Sequence, residues 1–129
     1  WRFTPPTHVV VALYEAILQF FEEGGQPARL KRYLNNSSVL LAGMRELGIK
    51  PFLNSEDLSA IIITFLAPES AQYDFSKLYA VTKKEGFMLY PGKLTEVETF
   101  RVGSIGAISD IEMRQAVNAI AYALNAMNI

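Results

Sequence analysis

A single arginine stands in an apolar, strand-like stretch of this 129-residue chain. Residues 98–110 read ETFRVGSIGAISD, and Arg101 lies between Phe100 and Val102, just before two glycines. A buried, unpaired charge is very costly, so this guanidinium must reach water or meet an anion. Its planar donor fork suits a carboxylate or a phosphonate, and the glycines would let a small ligand approach the backbone. From the residues alone, a structural salt bridge and a ligand contact are equally good interpretations.

Two further places carry polar groups close to predicted element ends. Thr4 precedes Pro5 and Pro6 at the start of a predicted helix, where a hydroxyl, backbone donors and the positive end of the helix dipole would suit a phosphate. A simple helix cap is the more economical interpretation of Thr4. The stretch YPGKLTEVETF places Tyr90 and Lys93 in a predicted loop that could cover a pocket, although most such lysines face water.

Composition excludes several kinds of chemistry. The chain has no cysteine, which excludes disulfides, thiolate metal sites and a cysteine nucleophile and fits a reducing cytoplasm. The lone His8 has no second histidine or cysteine to share a metal, and it is predicted to be solvated. Ser104 and Ser109 lack the spacing of a nucleophile elbow. A net charge of -1 with mixed signs argues against nucleic acid, and no signal peptide or membrane-spanning run is present, so we expect a cytoplasmic protein.

Apolar spacing predicts helices that alternate with short strands. Glycines at 24–25, 48 and 86 end three helical patterns, Asp74 is predicted to cap the third helix, and Ser109 with Glu112 forms a capping box before the last. We therefore predict one domain over residues 1–129, a small two-layer α/β sandwich in the order α-α-β-β-α-β-β-α. The apolar stripe of the second helix is predicted to face the core. The predicted strands are IKPFL, AIIITFLA, FMLY and TFRVG, the second of them covered on both faces.

Two stretches, WRFTPPTHVV and LYPGKLTEVETFRVGSIG, together with the run between them resemble the C-terminal part of class V, fold-type I pyridoxal-phosphate aminotransferases. The similarity covers essentially the whole chain and is strongest to the branch that transfers the amino group of 2-aminoethylphosphonate to pyruvate, giving phosphonoacetaldehyde and alanine. The resemblance implies the C-terminal small domain of a homodimeric enzyme of phosphonate metabolism that uses pyridoxal 5'-phosphate. The family's covalent cofactor lysine belongs to the preceding large domain. This chain alone is therefore expected to be inactive and to hold no catalytic residue or metal.

The resemblance implies roles for two single residues. The arginine of the FRVG strand binds the acidic group of the substrate in this family, so Arg101 would hold the phosphonate of the amine or the carboxylate of pyruvate. The threonine of the TPP segment contacts the cofactor phosphate of the neighbouring subunit, which would be Thr4 here. For Arg2, Tyr90 and Lys93 the resemblance implies only a position near the mouth of the active site.

Three other functions stay open at this point. The first is another class V aminotransferase, of the alanine–glyoxylate type. The second is a free-standing α/β module that binds a small organic anion through Arg101. The third is a structural dimerisation domain, which the large apolar helix faces would support.

Overall fold

The computed structural model describes residues 2–92 and 96–129, and Lys93 lies outside these described residues. Within these residues, four helices and a three-stranded sheet confirm the predicted α/β class. None of the described helices is long and apolar enough to cross a bilayer. In chain order the elements are α1 (Thr7–Glu22), α2 (Gly25–Glu46), a short 3-10 turn (Ser55–Asp57), β1 (Ile62–Leu66), α3 (Phe75–Lys84), β2 (Tyr90–Pro91), β3 (Thr99–Gly103) and α4 (Asp110–Asn125).

The predicted IKPFL strand is wrong, so the described chain has one strand fewer than the predicted order of elements. This segment forms only an isolated bridge between Pro51 and Phe65. On one side of this bridge the Leu66 N–H donates to Lys50 O at 2.9 Å. The neighbouring Phe52 N–H still donates to Thr64 O at 2.8 Å, so the segment runs along β1 without becoming a strand. The predicted FMLY strand is also shifted, since β2 begins only at Tyr90.

Contacts divide the chain into two compact units, Trp1–Arg32 and Tyr33–Ile129, with the boundary inside α2. In the first unit, Glu23 pairs with Arg29 at 2.7 Å and with Arg32 at 3.2 Å. The Arg29 guanidinium also lies 4.9 Å from the centre of the Phe20 ring. Helix α1 has no buried residue, and large apolar side chains on it are exposed: Val9, Val10, Val11, Leu13, Tyr14, Ile17, Leu18 and Phe21.

The second unit contains the hydrophobic core. One face of the sheet, carrying Ile63, Phe65, Phe100 and Val102, belongs to the same buried cluster as apolar residues of α2, α3 and α4. The helix residues of that cluster are Leu40 and Met44 from α2, Leu78 from α3, and Met113, Ile120, Ala123 and Leu124 from α4. The predicted core stripe of α2 is thus confirmed only in its C-terminal half, because Leu30 and Leu34 are exposed.

Both predicted helix caps are confirmed. Asp74 Oδ1 accepts a hydrogen bond from the Ser76 N–H at 2.7 Å and so caps α3. At the start of α4, the Ser109 N–H donates to Glu112 Oε2 at 2.7 Å, which completes a capping box. Hydrogen bonds from the Ser109 side chain and backbone lower the pKa of Glu112 below its ordinary value. These caps depend on residues two or three positions apart, which is why the sequence pattern predicts them.

The sheet is antiparallel, with β3 between β1 and β2. Strand β1 buries Ile63 and Phe65, whereas Ile62 keeps 39% of its surface exposed. The prediction that this strand is covered on both faces is therefore wrong for the described structure. An apolar run without alternation indicates burial in general, but it does not say how many faces are covered.

Gly92 permits a close approach between β2 and β3. The Gly92 N–H donates to Thr99 O at 2.7 Å, and a Cβ atom on Gly92 would overlap the Thr99 side chain. In contrast, a Cβ on Gly103 would meet nothing nearer than Ile61 O at 3.9 Å. Gly92 is thus required because there is no room for a side chain beside Thr99, and not because its backbone is left-handed.

We expect Gly92→Ala to lower the free energy of unfolding by about 1–3 kcal/mol, since the added methyl group must displace Thr99. Gly103→Ala is the matched control and should change stability by less than about 1 kcal/mol. Urea denaturation followed by circular dichroism measures both variants. Equal stability of the two variants would show that the contact between Gly92 and Thr99 can relax without cost.

Candidate anion-binding site

Arg101 occupies the middle of the central strand. In the register it lies opposite Thr64 on β1 and opposite Tyr90 on β2. Its neighbours Phe100 and Val102 point into the core, and side chains alternate along a strand. Arg101 therefore projects from the other face of the sheet, where it is half-buried between one hydroxyl residue and one aromatic residue.

The guanidinium of Arg101 has no ionic partner in the described part of the chain. Its Nη2 donates to Pro91 O at 3.2 Å, and its buried Nε has no hydrogen-bond acceptor among the residues the structure describes. Ion pairs among the described residues involve Arg29, Arg32 and Arg114, and not Arg101. The salt-bridge interpretation of Arg101 is therefore not realised here. Because arginine keeps its charge at any physiological pH, its unused donors favour an external anion.

Space for such an anion exists on the same face of the sheet. Ile62 and Tyr90 are 39% and 59% exposed, and Gly103 is exposed two residues after Arg101 on β3. Since the nearest atom to a Cβ on Gly103 would be 3.9 Å away, the backbone there is open to a small molecule. A carboxylate or phosphonate could take two parallel N–H donors from a guanidinium in this setting.

Thr4 does not cap the first helix. The N-cap of α1 is Pro6, which makes no side-chain capping bond. Thr4 is exposed, and its hydroxyl makes no hydrogen bond with the residues the structure describes. Nearby, Thr7 donates to Pro5 O at 3.3 Å. The helix-cap interpretation of Thr4 is thus wrong, and its hydroxyl is left available at the start of α1, where the helix dipole is positive.

The remaining polar candidates are structural or solvent-facing. Ser104 is fully buried and donates to Ala60 O at 2.9 Å, and Ser109 caps α4, so neither is an available nucleophile. His8 is exposed, as predicted. Arg2 is exposed, with its guanidinium carbon 5.8 Å from the centre of the Phe3 ring. Within residues 2–92 and 96–129 there is no group of three or more side chains suited to a metal ion.

Sequence reasoning missed Asn36 and Thr64. Asn36 is completely buried in α2, and its Nδ2 donates to Ile108 O at 3.0 Å and to Ser104 O at 3.4 Å. The sequence feature that could have identified Asn36 is that a polar residue interrupts the apolar stripe of the helix. Thr64 lies opposite Arg101, which the sequence does not reveal because strand register depends on distant residues.

A cavity of about 420 Å³ opens elsewhere in the second unit. It is lined by residues around the C-terminal ends of α2 and α4, among them Leu47, Lys50, Glu69, Leu124 and Ile129. Neither Arg101 nor Thr64 contributes to it. Its two charged side chains, Lys50 and Glu69, are exposed, so neither is a buried charge comparable with Arg101.

Comparison with known proteins gives whole-chain similarities, although no family model matches. The chain is 63% identical over all 129 residues to 2-aminoethylphosphonate–pyruvate transaminase 2 of Polaromonas sp.. It is 56% identical to 2-aminoethylphosphonate–pyruvate transaminase 1 of Cupriavidus pinatubonensis and 54% identical to the transaminase of this name from Pseudomonas putida, again over the whole chain. The chain spans only 34–35% of these curated relatives.

Solved structures share the fold at low sequence identity. Pyridoxamine–pyruvate aminotransferase from Mesorhizobium loti superposes with a TM-score of 0.87 at 20% sequence identity. The match includes 100% of this chain and 33% of that protein. Alanine–glyoxylate aminotransferase from Nostoc sp. gives a TM-score of 0.84 at 20% identity over 96% of the chain, again 33% of that protein. Similarity at this level establishes the fold of the chain.

Proposed function

We propose that this chain, a fragment homologous over its whole length to 2-aminoethylphosphonate–pyruvate transaminases, is the small domain of an enzyme with that activity. The sequence identity supports the assignment of the substrates. The structural observation that carries the proposal is the Arg101 guanidinium, which is held on the open face of the central strand without an ionic partner among the described residues. A site that binds acidic substrates needs such a group.

In the proposed reaction, 2-aminoethylphosphonate gives up its amino group and leaves as phosphonoacetaldehyde, and pyruvate accepts the group and leaves as alanine. The amine carries a phosphonate and the acceptor a carboxylate, so one arginine can bind the acidic end of each in turn. Binding that end fixes the distance from Arg101 to the reacting carbon, which is a positioning effect and not a proton transfer. Pyridoxal phosphate, when bound, supplies the electron sink for the chemistry.

Thr4 is proposed to contact the phosphate of the cofactor in the neighbouring subunit. Its exposed hydroxyl and the N-terminal end of α1 are of the right chemical type, since both interact favourably with a phosphate. This role makes the working form a homodimer. The lysine that holds the cofactor is expected in another part of the protein, so the fragment alone should not catalyse transamination. A cytoplasmic location is part of the proposal and is consistent with the absence of cysteine.

A second candidate is an aminotransferase of the alanine–glyoxylate type. The fold shared with the Nostoc protein supports it. Such an enzyme would use Arg101 for carboxylates alone. The amine donor distinguishes the two candidates, because only the first accepts a phosphonate. The 63% identity to the Polaromonas transaminase favours the first.

Arg101→Ala in the complete protein should lower kcat/KM for both 2-aminoethylphosphonate and pyruvate by about 10- to 150-fold. This is the loss expected when a hydrogen-bonded charge, worth roughly 1.5–3 kcal/mol, is removed from the site. The visible absorbance of the bound cofactor should be unchanged. Steady-state kinetics with each substrate in turn measures the effect. Arg101→Lys keeps the charge without the planar fork, so its kcat/KM should lie between that of the unmodified protein and that of Arg101→Ala.

Arg114→Ala is the matched control, because Arg114 is an exposed residue of α4 that pairs with Asp110, at 3.5 Å, on the same helix. Its kinetics should equal those of the unmodified protein. If Arg101→Ala behaves like Arg114→Ala with both substrates, Arg101 does not bind their acidic groups. Normal turnover of carboxylate donors combined with no turnover of 2-aminoethylphosphonate by the unmodified protein would favour the alanine–glyoxylate type instead.

Thr4→Val should weaken cofactor binding about 5- to 30-fold, since it removes one hydroxyl donor to the phosphate and keeps the size of the side chain. Substrate KM values at saturating cofactor should stay within about twofold. Titration of the apoprotein with pyridoxal phosphate, followed by absorbance, measures the dissociation constant. Thr7→Val is the control, since Thr7 donates to Pro5 O, and equal effects of both substitutions would remove Thr4 from the phosphate site.

A further inference from the structure

Asn36 connects α2 to the segment that follows the central strand. Its side chain is completely buried, and its Nδ2 donates to Ser104 O at 3.4 Å and to Ile108 O at 3.0 Å. These two carbonyls lie at opposite ends of the connection between β3 and α4. One amide group therefore holds both ends of a five-residue loop from a distance of 68 and 72 residues along the chain.

Ser104, the residue directly after β3, is held from a second side as well. It is fully buried, its N–H donates to Ile61 O at 2.9 Å, and its Oγ donates to Ala60 O at 2.9 Å. Ser104 thus joins the exit of β3 to the entry of β1, while Asn36 joins it to α2. Arg101 lies only three residues before this junction.

The connection needs such a junction because its own sequence is permissive. Gly103 and Gly106 have no side chains to restrict the backbone, and Gly106 adopts a positive φ of 116°. Ile105, between them, is 55% exposed and contributes little packing. Without the bonds from Asn36, the strand end would keep the two bonds from Ser104 to the segment before β1, but the loop would lose both of its bonds to α2.

The chemistry of Asn36 also argues against a role in core packing alone. Its Oδ1 is buried and has no partner among the described residues. A buried acceptor without a hydrogen bond costs free energy, which an apolar side chain of similar size would avoid. The presence of an amide at this buried position is therefore explained by the two hydrogen bonds that its Nδ2 donates to the loop.

We infer that Asn36 is a positioning residue for Arg101: by fixing both ends of loop 104–108, it holds the end of β3 and so sets where the guanidinium meets the substrate anion. We call the pair of hydrogen bonds from Asn36 to Ser104 O and Ile108 O the clamp, and it is seen directly in the geometry. Its consequence for substrate binding rests on the proposed function. Misplacing a binding group by a fraction of a bond length is enough to weaken its contacts.

The test compares two substitutions of buried polar residues in the complete protein. Asn36→Leu removes both bonds to the loop. Thr82→Val is the control, because Thr82 is also fully buried and donates to Leu78 O at 3.0 Å and to Tyr79 O, both within its own helix α3. Hydrogen exchange of backbone amides in residues 99–109 reports on the clamp, and steady-state kinetics reports on the substrate.

For Asn36→Leu we expect amide exchange at least tenfold faster in residues 99–109 and KM values for 2-aminoethylphosphonate and pyruvate that rise together by about 5- to 30-fold. The kcat should fall by less than the KM values rise, since most of the contact with the anion is made in the ground state as well as in the transition state. Thr82→Val should leave both readouts unchanged. If Asn36→Leu does not fold, Asn36→Ala, which removes the same two bonds with a smaller side chain, should shift both readouts in the same direction.

Unchanged exchange in residues 99–109 would overturn the clamp, whatever the kinetics. Faster exchange with unchanged KM values would overturn the positioning of Arg101, provided that Arg101→Ala raises them. If Arg101→Ala itself leaves both substrates unaffected, the proposed function fails, and the exchange data alone then decide whether Asn36 holds the loop.

Discussion

The permanent charge of Arg101 in the middle of the central strand is the constraint on which the rest of the site depends. A guanidinium cannot enter an apolar core without a partner, so the strand must direct it away from the helices of the second unit. The structure meets this condition by alternation, since Phe100 and Val102 enter the core and Arg101 does not. A shift of one residue in the pairing of β3 would exchange the two faces and bury the charge. The register of β3 therefore decides whether the Arg101 guanidinium is accessible to an anion.

Several contacts around β3 maintain that register. On one side, Gly92 approaches Thr99 so closely that no side chain fits between them. At the other end, Ser104 is tied to β1 and to Asn36 of α2. Helix α2 is itself held close to α4, because a Cβ on Gly43 would come within 2.7 Å of Val117. The backbone around Arg101 is thus fixed by residues whose side chains lie outside the candidate site.

Local features of this fold follow from the sequence, and long-range features do not. The Asp74 cap and the Ser109–Glu112 capping box depend on residues at most three positions apart, and both are predicted correctly. The strand over 49–53 is mispredicted because β-branched and aromatic residues favour a strand, whereas the number of bonds that the segment makes to β1 depends on the distant residues of β1. Periodicity also identifies the apolar residues of α1 without saying what covers them, and in the described chain they are exposed. The candidate site is predictable at Arg101 by residue type, whereas the pairing of Thr64 with Arg101 and the bond from Asn36 to Ser104 join residues that no local pattern connects.

Binding of unreactive anions tests most directly the claim that Arg101 receives the acidic end of the substrates. Ethylphosphonate and propionate carry these acidic groups but have no amino or keto group, so their inhibition constants report on anion binding without chemistry. In the complete protein at fixed ionic strength, we expect Arg101→Gln to raise both inhibition constants by about 10- to 150-fold, the loss of a charged hydrogen-bonded contact. Inhibition constants that match those of the unmodified protein for both anions would contradict the account.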